Sequence, residues 1–204
     1  GVAEDHDSNP IKRGLGKLKD RSAKIVAINP VRTGYNSIAD EWVGIRPGTD
    51  GLLVLSLVHI LLKRKKIDLE YLQSFTNAPF LVNISSTDIN KGLFLKDKND
   101  IPLVVDHFSG ELKRFSDKGV KPSLTKSHSN QNGSFKTVFS LLTEKYLDDA
   151  YSPKLVAPQC GLKEEQIISL AEEIASTAFN KAIHIDQDWV DFRGEKRFGL
   201  SVDL

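Results

Sequence analysis

The feature that most limits how this chain can fold is a pair of short strand-like runs, each stopped at a proline, followed by an apolar stretch of helical length. Lys24 leads into Ile25, Val26, Ala27 and Ile28, and the run ends at Asn29-Pro30. A short run rich in β-branched residues reads as a fully buried, parallel strand. A second short strand is expected over residues 40–45, stopped by Arg46-Pro47-Gly48. Residues 52–62 are apolar except for Ser56 and His59. That stretch is too short to span a bilayer and reads as a buried helix. Asp50 stands at its start, where a carboxylate can accept bonds from the first free N–H groups. Lys63-Arg64-Lys65-Lys66 closes it, where cations oppose the negative helix end.

The remaining chain alternates in the same way. Ile11, Leu15 and Leu18 have helical spacing, and Pro10 suits a first helical turn. A helix is expected over 68–77 and an extended segment over 79–82. Residues 84–133 are polar and irregular, with brief extended stretches at 93–95 and 103–105. Gly110, Gly119 and Pro122 punctuate turns there, and residues 127–133 read as the least structured part. Helical spacing returns from Phe135 through Val138, Phe139, Leu142 and Tyr146. Tyr151-Ser152-Pro153 starts a short helix that Gly161 ends. Residues 163–178 form an amphipathic helix with Ile167, Leu170, Ala171, Ile174 and Ala175 on one face. A strand follows at 182–185, then an extended arm with a turn at Arg193-Gly194. Such alternation of strands and helices predicts an α/β fold with a mostly parallel sheet flanked by helices. In such sheets ligands lie beyond the carboxyl ends of the strands.

Composition narrows the function classes. A chain of 204 residues with 40% hydrophobic content can bury a real core. Its formal net charge of +1 sets up no field for nucleic acid or an anionic membrane surface. The single cysteine, Cys160, excludes an internal disulfide, a CxxC pair and a cysteine-ligated cluster within these residues. Cys160 itself reads as a small packed residue. No apolar run reaches membrane-spanning length and no signal peptide opens the chain. With no Met anywhere, the chain is expected to be an internal segment or a processed product, and a processed product alone does not account for the lack of internal Met.

Three loops carry polar groups suited to a ligand. Asn29, Pro30, Val31, Arg32 and Thr33 follow a buried strand; Asn can bond a ribose hydroxyl and Arg32 offers a planar fork for phosphate. The same segment also reads as an ordinary strand exit. Pro47, Gly48, Thr49 and Asp50 open a helix whose free N–H groups suit phosphate, and Gly48 permits close backbone approach. Asp50 can cap that helix or accept from a guanine's N–H donors. Residues 1–10 crowd Glu4, Asp5, His6 and Asp7 together. Three carboxylates suit a hard cation, but no calcium-loop spacing is present, and a solvated or nucleotide-facing loop is the other reading. His59, His107, His128 and His184 read as structural or solvated, and Trp42 and Trp189 as packing residues.

In combination these segments resemble the molybdopterin oxidoreductase family, dimethyl sulfoxide reductase type. The resemblance rests on the strand followed by Asn29-Pro30, on Arg32-Thr33, on Ala39-Asp40, and on Pro47-Gly48-Thr49-Asp50 opening a helix. The loop at 1–10 is similar to the family's Gly-x-Asn…His-Pro loop. Tyr151-Ser152-Pro153, Cys160-Gly161, Ile167 and Leu170-Ala171 are similar to a downstream helix pair. Asn29 stands where the family usually has Asp, and Cys160 where it commonly has Thr.

The resemblance implies a Rossmann-like dinucleotide-binding domain over 1–83 and 134–186, a variable insertion over 84–133, and a connection beginning at 187–204. It implies a bis(molybdopterin guanine dinucleotide) molybdenum or tungsten cofactor. One guanine dinucleotide would be held by Gly1, Glu4, His6 and Asn9, by residues 29–33, and by residues 47–50. The metal's protein ligand and any iron–sulfur cluster would lie upstream of these residues, so no catalytic or metal-binding residue is expected within them. The implied partners are an iron–sulfur electron-transfer subunit together with a membrane anchor subunit. The complex would be peripheral to the cytoplasmic membrane, on its cytoplasmic side. The pattern looks nearest to members acting on sulfur compounds such as sulfite or thiosulfate. The alternatives are a stand-alone nucleotide-binding module and a non-catalytic assembly subunit.

Overall fold

A computed structural model describes residues 13–32, 34, 38–85, 88–131 and 133–180 in full. It describes 10–12, 182–185, 189–190, 196–197 and 200–203 as backbone alone. In chain order the elements are α1 (Pro10–Asp20), β1 (Val26–Ile28), β2 (Glu41–Val43), α2 (Asp50–Lys63), α3 (Leu69–Phe75) and β3 (Leu81–Asn83). Next come β4 (Leu103–Val105), β5 (Leu112–Arg114), β6 (His128–Asn130), β7 (Gly133–Thr137) and α4 (Val138–Tyr146). A 3₁₀ turn (Asp149–Tyr151) leads to α5 (Pro153–Cys160) and α6 (Glu164–Asn180). Strands β8 (Ala182–Ile185), β9 (Trp189–Val190), β10 (Lys196–Arg197) and β11 (Leu200–Asp203) close the series. The fold is mixed α/β. The chain divides into two compact units, Gly1–Ile60 with Asp149–Glu172, and Leu61–Asp148 with Glu173–Leu204.

In the first unit, Ile45, Leu53, Leu57 and Ile60 are buried with Val156, Ala157, Cys160, Ile167 and Ala171. Leu53, Leu57 and Ile60 recur at spacings of four and three on α2, which is what aligns them on one helical face. Ile167 and Ala171 do the same for α6. Pro153 begins α5 as expected, and Gly161 ends it in the left-handed conformation at φ 72°, a position glycine takes without strain. Beside this core, β1 and β2 pair in parallel, with Val26 opposite Glu41, Ala27 opposite Trp42 and Ile28 opposite Val43.

The second unit centres on Leu81, Val105 and Phe135, with Leu95 and Leu112 packed against them. Here β7 lies between β3 and β6, antiparallel to both. A short hairpin joins β4 to β5, also antiparallel. Asp106 is buried just after β4. It accepts from the Ser109 and Lys121 main-chain N–H groups at 3.0 and 3.1 Å, from the Ser109 hydroxyl at 2.9 Å and from Lys113 Nζ at 3.3 Å. These donors, Ser109 first, hold its carboxyl well below the usual carboxylate range.

Several expectations are corrected. Among the described residues the sheets are not mostly parallel: β1–β2 is the one parallel pair, and the other named pairs are antiparallel. The reason lies in the connections. β6 turns directly into β7, and a connection that short can only return antiparallel. Strand β8 also takes an antiparallel partner, β11. Residues 127–133, expected to be the least structured part, instead form β6 over 128–130 and begin β7 at Gly133. Phe135 is strand rather than helix, because its ring fills the second core at 3% exposure. Helix α4 begins only at Val138, capped by Thr137, whose hydroxyl accepts the Ser140 N–H at 3.1 Å. The expected turn at Arg193-Gly194 lies outside the described residues.

Candidate functional site

Two of the three loops singled out by the sequence leave the carboxyl ends of β1 and β2, which are adjacent and parallel. The opposite ends of these strands are clamped by Asp40. Its carboxylate accepts the Ile25 N–H at 2.8 Å and pairs with Lys19, while its own N–H donates to the Ile25 carbonyl at 2.8 Å. The Ile25 N–H, and then Lys19, hold the Asp40 carboxyl below its ordinary value. Asp40 therefore sets the relative position of the two strands and, through them, of the two loops.

The first loop begins while still on the strand ladder, since the Asn29 N–H donates to the Val43 carbonyl at 3.1 Å. Asn29 Oδ1 accepts the Val31 N–H at 3.5 Å, a long bond across the tip of the loop. Trp42 supports the same loop from β2. Its indole Nε1 donates to the Asn29 carbonyl at 2.9 Å, and the Arg32 guanidinium lies 5.9 Å from the ring centroid. The indole can lie there because residue 44 is glycine. A Cβ on Gly44 would stand 2.6 and 2.8 Å from two atoms of the Trp42 ring. Pro30, Val31 and Arg32 are exposed and Asn29 is half-buried.

The second loop is a turn closed on itself. The Arg46 carbonyl accepts both the Thr49 hydroxyl at 2.7 Å and the Thr49 N–H at 3.3 Å. Gly48 sits at φ 82° with nothing within 4 Å of where a Cβ would be. The turn is held from outside by the end of α5. The Arg46 N–H donates to the Cys160 carbonyl at 2.8 Å, and Arg46 Nη1 donates to the Gln159 carbonyl at 2.9 Å. Cys160 Sγ lies 3.8 Å from the Thr49 carbonyl. Pro47, Gly48 and Asp50 are exposed and Thr49 is half-buried.

Asp50 does not cap α2 as expected. It is the first residue inside the helix, and among the described residues no donor reaches its carboxylate. The Arg46–Thr49 turn already brings the chain in at helical pitch, so the flanking position falls to Thr49. The Asp50 carboxylate is left facing outward beside the positive end of the helix, an arrangement the dipole favours.

Asn29, Pro30, Val31 and Arg32 thus emerge at the same strand edge as Pro47, Gly48, Thr49 and Asp50. Gly1, Glu4, His6, Asn9 and Thr33 lie outside the described residues. His107 is exposed, and His59 is buried within α2 at 1% exposure. Sequence reasoning missed Arg46 as a tether and saw Trp42 only as packing. The nearest signal for Trp42 was the glycine two residues on, which leaves a bare backbone for an aromatic ring. Among the described residues, no group of three or more His, Cys, Asp or Glu side chains is placed to hold a metal ion. No described helix is long and apolar enough to cross a membrane.

No family profile matches the chain. Individual relatives do. It is 34% identical over 203 residues to a sulfite dehydrogenase subunit of Allochromatium vinosum, an alignment covering 94% of this chain and 21% of that protein. It is 31% identical over 93 residues to the nitrate reductase alpha chain of Bacillus subtilis, covering 42% of this chain and 8% of that one. It is 27% identical over 162 residues to the formate dehydrogenase major subunit of Haemophilus influenzae, covering 79% and 15%. The chain therefore spans about a fifth of the length of the first of these relatives.

Proposed function

From the premise that this chain belongs to the molybdopterin oxidoreductase family, we propose that it forms part of the large subunit, where it holds a guanine dinucleotide arm of a bis(molybdopterin guanine dinucleotide) cofactor. The metal is molybdenum or tungsten. The observation that carries this reading is that two polar loops, one bearing Arg32 and one bearing Gly48-Thr49-Asp50, follow the carboxyl ends of an adjacent parallel strand pair.

The residues present fit such a group. The Arg32 guanidinium is exposed and supplies a fork for a phosphate. Gly48 leaves open space for a ligand against the backbone of a helix-opening turn. The outward Asp50 carboxylate suits the N–H donors of a guanine edge. Asn29 brings hydrogen-bonding atoms without charge toward a ribose. Pro30, Val31 and Pro47 shape the two loops, and Thr33, Gly1, Glu4, His6 and Asn9 are proposed as further contacts to the nucleotide. When bound, the metal–pterin centre supplies the electron-transfer chemistry. This chain's residues bind and orient its nucleotide end.

In this reading the parallel pair β1–β2 carries the site, with residues 1–83 and 134–186 forming the nucleotide domain. Residues 84–133 are an insertion and 187–204 lead onward. The full-length enzyme passes electrons between a small substrate and an iron–sulfur partner subunit, with a membrane anchor subunit, peripheral to the cytoplasmic side of the membrane. An iron–sulfur cluster in the large subunit belongs upstream. The 34% identity to a sulfite dehydrogenase subunit favours a sulfur oxyanion as substrate. The test is guanine nucleotide released by acid from the purified full-length protein. Arg32→Ala and Asp50→Ala should lower it and His107→Ala should not; equal release from all three sinks the assignment.

A further inference from the structure

We propose that Trp42 is a positioning residue of this site, holding the first loop in its ligand-ready form through both faces of its chemistry; the inference rests on the nucleotide reading above. The indole N–H and the indole ring contact two different parts of one loop. Nε1 donates to the Asn29 carbonyl at 2.9 Å, which fixes where the backbone leaves β1. The ring lies 5.9 Å from the Arg32 guanidinium, three residues further on. An exposed arginine otherwise samples many rotamers, and ordering it on binding costs conformational freedom. A guanidinium resting over an aromatic face gives up part of that freedom beforehand. Arg32 is exposed, and among the described residues no carboxylate pairs with it.

Gly44 is the third member of this device. The indole crosses the bare backbone there, and a Cβ would intrude to 2.6 Å. Trp42 lies opposite Ala27 in the parallel register, so the strand pairing itself delivers the indole to the loop that follows β1. Trp42 touches no ligand atom; it acts through Asn29 and Arg32.

The test is a double-mutant cycle read by calorimetry, with GDP titrated into full-length protein isolated without its cofactor. Trp42→Leu should weaken GDP binding about fivefold in the wild-type background, the size of a partly exposed cation–π contact. In an Arg32→Ala background the same change should weaken it by less than about twofold. Trp42→Phe keeps a ring face and loses the N–H donor, so it should fall between wild type and Trp42→Leu. Gly44→Ala displaces the indole without removing it and should reproduce the Trp42→Leu pattern.

Equal losses from Trp42→Leu in both backgrounds, or none in either, overturn the positioning role. Failure of both Trp42→Leu and Gly44→Ala to fold also overturns it, in favour of packing alone. If wild type binds no GDP, or Arg32→Ala binds it as wild type does, the nucleotide reading itself fails. A weakened Arg32→Ala beside an additive Trp42→Leu removes only the inference.

Discussion

Arg46 Nη1 donates to the carbonyl of Gln159 at 2.9 Å, joining residues 113 apart in the chain. The turn that opens α2 is therefore held by the last carbonyls of α5, which a helix leaves without internal partners. One arginine satisfies those carbonyls and fixes the turn together.

Removing that tether should loosen the turn before it unfolds the protein. Arg46→Ala is expected to lower stability by about 1 kcal/mol, the scale of a hydrogen bond to a charged group at an exposed position. Arg46→Lys should recover little, because a single ammonium lacks the planar fork. Thermal melts of the two variants check this; a lysine variant as stable as wild type contradicts it.

Gly48 gives a cleaner measure of backbone strain. A side chain there meets nothing within 4 Å, so any loss comes from the left-handed φ of 82° alone. Gly48→Ala should cost roughly 1–2 kcal/mol, and Gly48→Asn less, since Asn adopts that conformation more readily. Melting temperatures that rank alanine above asparagine would contradict the assigned conformation.

Cys160 is fully buried in the first core, against the second loop. Its thiol should resist a water-soluble disulfide reagent in the native protein and react fully in denaturant. Cys160→Leu should destabilise by about 1–3 kcal/mol, because the extra volume presses on Thr49 and α2. Rapid labelling of the native thiol would place Cys160 outside this core.

Asp40 and Asp106, with Asp88 and Asp97, contribute to the acid behaviour. Backbone N–H donors hold the first two carboxyls below their ordinary values, Ile25 for Asp40 and Ser109 for Asp106. A carboxyl with a lowered native value stabilises the fold at neutral pH. That contribution is complete above the unfolded value of about 3.9 and is lost as pH falls through the native value. Melting temperature should therefore hold from about pH 7 to about pH 5 and then drop. Asp106→Asn should lower it at pH 7 and flatten the acid limb. An acid limb as steep in Asp106→Asn as in wild type would exclude Asp106 as its source.

The first unit was largely legible in the sequence. β1 announced itself by four apolar residues before Asn29-Pro30, and α5 by its proline start and Gly161 end. The two loops at the carboxyl edge were legible for the same reason: strand ends and helix starts carry local signals. The β6–β7 hairpin was not. Its polar residues, Ser127 through Gly133, show no alternating apolar pattern, and its cross-strand side-chain contacts, Ser129 with Ser134 and His128 with Phe135, leave no such pattern in the sequence. Phe135 misled because its spacing to Val138 and Phe139 is helical, while burial against Leu81 and Val105 decided its state. Arg46 and Trp42 were missed because their partners are remote in sequence, and no local pattern records such contacts.

The reach from Arg46 to Gln159 and Cys160 has a further consequence, in time. The second loop is made 113 residues before its anchor. At about 5–20 residues per second, roughly 6–23 seconds of synthesis separate the two. Until α5 has emerged the turn lacks its outer support, whatever ligand is present. Under the proposed nucleotide reading, a cofactor held by this turn would load onto the finished unit rather than onto the growing chain.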